Sequence, residues 1–523
     1  MHSAVALFSL VSFLLCTPSS AVKLAISRPP KASANVNGNL INKGNLRYTA
    51  NITISGRVVN VALDTGSTDL WVMPPEGVPK FNDTHLNATL RYGDGSDYVF
   101  GDIGVGQFQL NQYTIPHQAY LNVFQAAAAE DADFADGIFG LWGLGFDTPG
   151  SSGVNDAIQT AYGPSAKWGQ SVLANIFAQD PTKADYIGIA LSRSGDAGGT
   201  ADASLTISEY DSDYDKVASS PKIPQTPADS GAWTVPLDGM SVGGKKIDWP
   251  TTMRSATPGS NIVHLDTGTT NVMMPAKQVA AIYGSVPNAV FAPNDIMWIP
   301  QTQYSTTNAV WVVPCNASIS VVATFGGQDY AIHPLDMTDM QVVTSPDGTR
   351  SYTVCIGTFT DVGAIVSGAS DALFGDSFLR NTYTVYGQAL THSLSHFLFA
   401  DCITHRFDFA TGGNAKPGSK PFVQMLSVTD ASKAQADLLS VRSTLMQNMP
   451  PEIDTVDFVK IFNLTKSAGK TGAPAHGGGG GGSSSSAGSG SSAGSDAASS
   501  GASSLTFSFS SIAFLSLAVL ALC

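Results

Sequence analysis

The chain has 523 residues, 43% of them hydrophobic and only 13% charged, with a formal net charge of −14. That length and apolar content suit one or two domains with a real core and tails. The acidic balance argues against nucleic acid and anionic membrane surfaces as partners, because those are bound by basic patches.

Residues 1–21 read as an export signal. Met1-His2 leads into an apolar run from Ala4 to Leu15, and Ser19-Ser20-Ala21 offers small residues for cleavage. Export implies an oxidising compartment. Residues 22–44 form a short polar lead rich in Lys, Asn and Pro. From Tyr48 to Ile54 apolar and polar residues alternate, the periodicity of a half-buried strand. The run Val61-Ala62-Leu63 then ends on Asp64-Thr65-Gly66-Ser67-Thr68, with Trp71 close behind. Tyr92-Gly93-Asp94-Gly95-Ser96 has the residues of a tight turn. Asp136-Gly137-Ile138-Phe139-Gly140-Leu141 carries two apolar residues closed by glycine, and a short helix is expected over Asn155–Tyr162.

Ser204 to Asp211 leads towards a second half, with the boundary near 205–230. Trp233–Leu237 and Met240–Gly244 are expected to open that half as a hairpin. The earlier pattern then returns. Val263-His264-Leu265 ends on Asp266-Thr267-Gly268-Thr269-Thr270, and Ala372-Leu373-Phe374-Gly375-Asp376 follows downstream. One Asp-Thr-Gly is an ordinary turn. Two, with matched flanks and matched downstream landmarks, indicate two related lobes. Such a duplication can set Asp64 and Asp266 face to face. Two carboxyl groups that close share a proton, and a site holding one acid and one base can activate water.

With these motifs, and with Gly375-Asp376-Ser377-Phe378-Leu379-Arg380 followed by Tyr383-Thr384-Val385-Tyr386, the chain resembles the pepsin-like aspartic proteases from about Asn45 to Phe409. Among them it is similar to the lipid-anchored fungal members. The resemblance implies a mostly β, bilobal fold with a cleft between two pseudo-twofold lobes, here 45–215 and 216–420. It implies an endopeptidase of acidic optimum acting on protein or peptide substrates, monomeric, with no cofactor and no metal. In pepsin the shared pair titrates near about 1.5 and 4.7. Thr65 and Thr267 would cross-bond the two loops, Ser67 and Thr269 would donate to the carboxylates, and Gly66 and Gly268 would allow close approach. Tyr92, Gly93 and Asp94 would form a flap over the substrate, with Trp71 as hydrogen-bond partner of Tyr92. Asp94 could accept a Lys or Arg of the substrate, against a default hydrophobic preference. The resemblance also implies a Cys315–Cys355 disulfide, leaving Cys402 either buried and unpaired or reactive. His264 stands where the family usually has an apolar residue. It is either a satisfied core histidine or a group facing the dyad. The lead at 22–44 is too short for the family's cleft-covering pro-segment.

Residues 421–470 are an extension outside the family core. Ala431, Ala434, Leu438, Val441 and Leu445 recur at helical spacing, with Thr429 or Asp430 as the expected N-cap. That helix either packs on the second lobe or binds a partner. Residues 471–504 read as a flexible Gly/Ser-rich stalk. Residues 505–523 read as a hydrophobic tail of glycosylphosphatidylinositol type, anchoring the chain to the outer plasma membrane or cell wall, with a single transmembrane helix as the rival. Glycosylation sequons stand at Asn82, Asn87, Asn316 and Asn463. A further one, Asn51, lies in the predicted strand and is the least suited to a glycan. Gly490-Ser491-Ser492-Ala493-Gly494 matches a serine-hydrolase elbow only formally, within the stalk. A non-catalytic surface protein on the same fold would be expected to have lost an aspartate, a loop glycine or the flap tyrosine, and all are present.

Overall fold

The computed structural model describes residues 23–25, 47–93, 95–193, 203–292, 310–361, 370–388 and 420–464. The export signal, most of the lead, Asp94, Cys402, the stalk and the hydrophobic tail lie outside the described residues.

The alternation from Tyr48 becomes the strand Thr49–Ile54, with Ala50, Ile52 and Ile54 buried and Asn51 exposed. It hairpins into Arg57–Asp64, which carries the first Asp-Thr-Gly at its end. These two strands open a seven-stranded sheet that continues through Gly140–Gly143, Leu70–Val72, Tyr113–Ala126, Asp97–Leu110 and Asn82–Tyr92. A second pairing of Thr49–Ile54 with Asp97–Leu110 curls this sheet back on itself. In the other half, Thr234–Leu237, Asn261–Leu265, Ala372–Phe374, Val272–Met274 and Phe359–Asp361 form a five-stranded sheet, flanked by two four-stranded sheets.

The duplication is visible strand by strand. Arg57–Asp64 runs parallel to Gly140–Gly143, pairing Leu63 with Trp142. Asn261–Leu265 runs parallel to Ala372–Phe374, pairing Leu265 with Phe374. Gly143 N donates to Asp69 O (2.9 Å) and Gly375 N to Asn271 O (3.2 Å), five residues after each aspartate. The counterpart of Leu373-Phe374-Gly375 is therefore Leu141-Trp142-Gly143. The apolar pair Ile138-Phe139, matched to it by sequence, lies three residues too early. Both segments end in glycine because the loop backbone passes over that Cα: a Cβ on either would overlap it.

A six-stranded antiparallel sheet joins the halves, in the order Lys23–Ala25, Ser204–Ile207, Tyr186–Ala190, Thr382–Gly387, Phe422–Ser427 and Ile223–Pro224. Two sequence boundaries shift here. Lys23–Ala25, inside the lead, is a sheet strand, and Phe422–Ser427, assigned to the extension, pairs with all six residues of Thr382–Gly387. The expected hairpin of Trp233–Leu237 with Met240–Gly244 does not form. Only Asp238 separates Thr234–Leu237 from Gly239–Val242, too little for even a two-residue hairpin loop. The chain instead crosses between sheets there, and Gly239–Val242 pairs with Lys245–Lys246 and Val321–Phe325.

The extension packs on the second half. The helix Ala434–Met446 buries Ala434, Leu438, Val441 and Arg442, and Arg442 Nη2 donates to Thr338 O at 2.7 Å. Its predicted start was early. Ala431 precedes the helix, the N-cap position is Lys433, and Asp430 instead accepts from Ser432 N in a turn of its own. The following helix Thr455–Ile461 brings Phe458, with Ile453 and Phe462, onto Val310, Val354 and Ile356. Cys315 and Cys355 are joined in a disulfide beneath Leu445, Met446 and Met449. Asn51, Asn82, Asn87, Asn316 and Asn463 are all exposed. Asn51 lies on a strand as expected but faces outward, so burial does not set it apart from the other four.

Candidate active site

The two Asp-Thr-Gly loops meet at the junction of the halves. Thr65 N donates to Thr267 Oγ1 (3.0 Å) and Thr267 Oγ1 donates to Leu63 O (2.9 Å). The reciprocal pair, Thr267 N to Thr65 Oγ1 and Thr65 Oγ1 to Leu265 O, is 3.0 Å in each case. These four bonds hold the carboxylates across from each other. A Cβ on Gly66 would stand 2.5 Å from Asp266 Oδ1, and one on Gly268 would overlap Asp64 Oδ1. Each glycine is thus packed against the opposite loop's aspartate, which no larger residue permits. Within its own loop, Asp64 accepts from Gly66 N (2.7 Å) and from Ser67 Oγ. Asp266 accepts from Gly268 N (2.8 Å) and Thr269 Oγ1 (2.6 Å).

Both aspartates are buried, 5% and 7% exposed, yet both line a cleft of about 630 Å³. Burial, and then the Asp266 carboxylate, push the Asp64 carboxyl well above its ordinary range, while Ser67 and Gly66 pull it down. A raised Asp64 carboxyl beside a second carboxylate favours the state in which the pair holds one proton.

The strands Asn82–Tyr92 and Asp97–Leu110 form the hairpin whose tip carries Tyr92 and Gly93. Tyr92 lines the cleft. Its phenol is pushed well up, by burial first and then by the charge of Asp64 in the same cleft. Trp71 is buried in the same cluster. Its indole N–H approaches the Tyr92 phenol closely enough to favour the phenolate, but the expected hydrogen bond is not formed in good geometry. Trp71 Nε1 has no partner among the described residues. Of the two readings of His264, that of a satisfied core histidine fails. It lines the cleft, its Nε2 is buried without a hydrogen-bond partner among the described residues, and burial lowers its pKa against the pull of Asp266.

The model of the eukaryotic aspartyl protease family matches residues 47–393, two thirds of the chain. The chain belongs to that family. An aspartic protease from Phaffia rhodozyma is 27% identical over 354 residues, covering 65% of this chain and 73% of that protein. The aspartic-type endopeptidase ctsD from Aspergillus fumigatus is 25% identical, covering 65% of this chain and 62% of its own length. Among solved structures, the aspartic proteinase from Irpex lacteus is similar at 18% identity and a TM-score of 0.47, over 70% of this chain and 94% of that one.

Three further groups of this aspartyl protease escaped the sequence reading. Asp69 accepts from Ser152 Oγ (2.5 Å), Gly153 N (2.9 Å) and Val154 N (3.2 Å), fixing the start of the helix Gly153–Tyr162 against the cleft wall. That helix begins two residues before its expected start, capped by Ser152. Burial raises the Asp69 carboxyl to about 6 despite these donors. Its place five residues after Asp64, matched by Asn271 after Asp266, was a readable signal. Arg47 bonds Asp133 Oδ2 (3.0 Å) and Gly268 O (3.1 Å), bracing the second catalytic loop from the first lobe. Glu130 lines the cleft, and no periodicity marks it. Among the described residues no group of His, Cys, Asp and Glu could hold a metal ion.

Proposed function

We propose that this aspartyl protease is an endopeptidase that hydrolyses peptide bonds with a water activated between Asp64 and Asp266, with an acidic optimum. The observation that carries this reading is the crossed Thr65/Thr267 bonding, with each loop glycine against the opposite carboxylate. In the singly protonated pair, the ionised carboxylate takes a proton from water as its oxygen attacks the peptide carbonyl. The protonated partner donates to the carbonyl oxygen. Return of a proton to the amide nitrogen then breaks the C–N bond, giving a carboxylic acid and an amine. No covalent enzyme intermediate is required. Ser67 and Thr269 stabilise whichever carboxylate is ionised, and Tyr92 closes over the peptide.

The reading is tested by acid proteolysis of casein with the soluble ectodomain, with and without pepstatin, beside Asp64→Asn. Pepstatin-sensitive cleavage that disappears in the variant is expected. Cleavage that persists in the variant removes the mechanism.

The reading extends to a secreted, monomeric glycoprotein held at the outer plasma membrane or cell wall by a glycosylphosphatidylinositol anchor. It is supported by the apolar run at 4–15, the small-residue tract before the hydrophobic 505–523 tail, the exposed sequons and the disulfide. Release of the protein from cells by a phosphatidylinositol-specific phospholipase tests it, and retention after treatment counts against it.

A further inference from the structure

The cleft of this protease is strongly acidic beyond its dyad. Asp69, Asp97, Glu130 and Asp133 also line it, against Arg47 and Arg91. Asp69 is taken up by the helix it starts. Arg47 is held by Asp133 and by Gly268 O, and Arg91 donates to Gly95 O at the hairpin tip. Glu130 is different. Its residue is 9% exposed, it borders the cleft, and among the described residues its carboxylate has no hydrogen bond or ion pair. A largely buried carboxylate whose oxygens reach only a binding cleft, with no protein partner there, is better satisfied when a ligand supplies one.

We propose that Glu130, flanked by Asp97 and Asp133, forms a subsite that takes a lysine or arginine side chain of the substrate. This rests on the endopeptidase reading above and names a substrate class for it. The position is set by Tyr92. It lines the same cleft as Asp64 and Glu130, and it pairs in register with Asp97 across the hairpin. The subsite therefore lies under the flap, close to the dyad on the first lobe's side. The aliphatic stem of a Lys or Arg can lie along apolar residues of the same cleft, such as Ile138 and Leu90, while its head reaches the carboxylates. Asp94 is not needed for this.

The groups facing Glu130 give the subsite a pH signature. Burial, Asp97 and Asp133 push Glu130 up to about 7, and Arg47 opposes them. Tyr92 stays neutral. Below that pH a cationic side chain must displace a proton from Glu130 to bind as an ion pair. Preference for it over a neutral side chain of the same length should rise from pH 4 to pH 7, even while the overall rate falls.

The test uses peptides identical but for lysine or norleucine, moved through each position around the cut, with kcat/KM read as a lysine-to-norleucine ratio. At one position the wild-type ratio is expected to exceed that of Glu130→Gln by about tenfold, the scale of a charge-assisted hydrogen bond. Glu130→Asp should recover part of it, and the rise with pH should flatten in Glu130→Gln. Melting temperatures establish that the variants are folded, and Asp97→Asn supplies a second variant acting on the same subsite. An unchanged ratio in both Glu130→Gln and Asp97→Asn, at every position, overturns the proposal. If the wild type cleaves neither peptide, the ratio is read from equilibrium binding by fluorescence anisotropy. A lysine preference that Glu130→Gln abolishes would then uphold the subsite and sink the hydrolytic reading, whereas no preference would sink the subsite.

Discussion

Thr267→Val isolates the contact on which the dyad depends. Valine keeps the volume and branching of threonine, so packing is little changed. It deletes the acceptor of Thr65 N and the donor to Leu63 O. Thr65 and Thr267 are 1% and 2% exposed, so water cannot take the place of the lost hydroxyl. Two neutral hydrogen bonds are worth about 1 kcal/mol each net, and an orphaned buried N–H costs about 1–3 kcal/mol. Allowing for overlap between these terms, the expected loss is about 2–4 kcal/mol. The catalytic effect is separate. Asp64 and Asp266 sit next to the broken bonds, and an error of about 1 Å in placing a catalytic group can cost about 100-fold. Urea unfolding should therefore show a lower midpoint with an unchanged slope, and kcat should fall more than KM rises. The double variant with Thr65→Val should cost less than the sum of the singles, by about 0.5–3 kcal/mol, because one lost pair already loosens the other. If Thr267→Val stays within about 0.5 kcal/mol of wild type, the size of an ordinary surface change, and keeps its kcat, the crossed bonds do not position the dyad.

Asp64→Asn should abolish cleavage and also change stability with a definite sign. The folded pKa of Asp64 lies above its unfolded value, so its contribution to stability is present below the unfolded pKa and is lost as pH rises through the folded one. The variant should melt higher than wild type at pH 7 and level with it near pH 3; a difference independent of pH would contradict the burial of this carboxylate. Asp336 has the opposite sign. Burial pushes its pKa up, but Arg193 at 2.6 Å and Arg380 at 2.7 Å outweigh this and hold it low. Asp336→Asn leaves two buried guanidinium groups uncompensated and should cost about 3–5 kcal/mol. That deficit, read by urea titration, should be full at pH 6 and shrink as pH falls below the ordinary carboxylate range. Truncation after Lys420 should give an insoluble product, because it strips Phe422–Ser427 from the sheet between the halves. A soluble, active product would show that strand to be dispensable.

The dyad was legible because each half writes it locally. A strand ending in Asp-Thr-Gly sets its own carboxylate, hydroxyl donor and glycine within a few residues, and duplication supplies the second set. The flap hairpin and the extension's helical face were legible for the same reason, through turn residues and 3.6-residue spacing. What failed was non-local. The register of Leu141-Trp142-Gly143 against Leu373-Phe374-Gly375 depends on which glycine passes under the loop. The false hairpin after Trp233 came from two good strands whose partners lie elsewhere. Phe422–Ser427 looked like the start of an appendage, since its partners are Thr382–Gly387 and the short strand Ile223–Pro224.

The walls of the cleft break the symmetry that its floor keeps. Ala62 and His264 occupy the same place in the two copies, two residues before each aspartate and paired with Leu141 and Leu373 in turn. Both line the cleft. A dyad with true twofold symmetry would offer a peptide two equivalent directions of entry, yet cleavage distinguishes the acyl side of a bond from the amine side. The small Ala62, with Glu130 and Tyr92 in its own lobe, leaves room and negative charge on one side. His264 puts a larger side chain and a buried Nε2 in the equivalent place on the other side. Neither feature has a counterpart across the pseudo-twofold axis among the described residues. The repeated motif thus pairs the two carboxylates, and the residues that fail to repeat make the two sides of the cleft unequal.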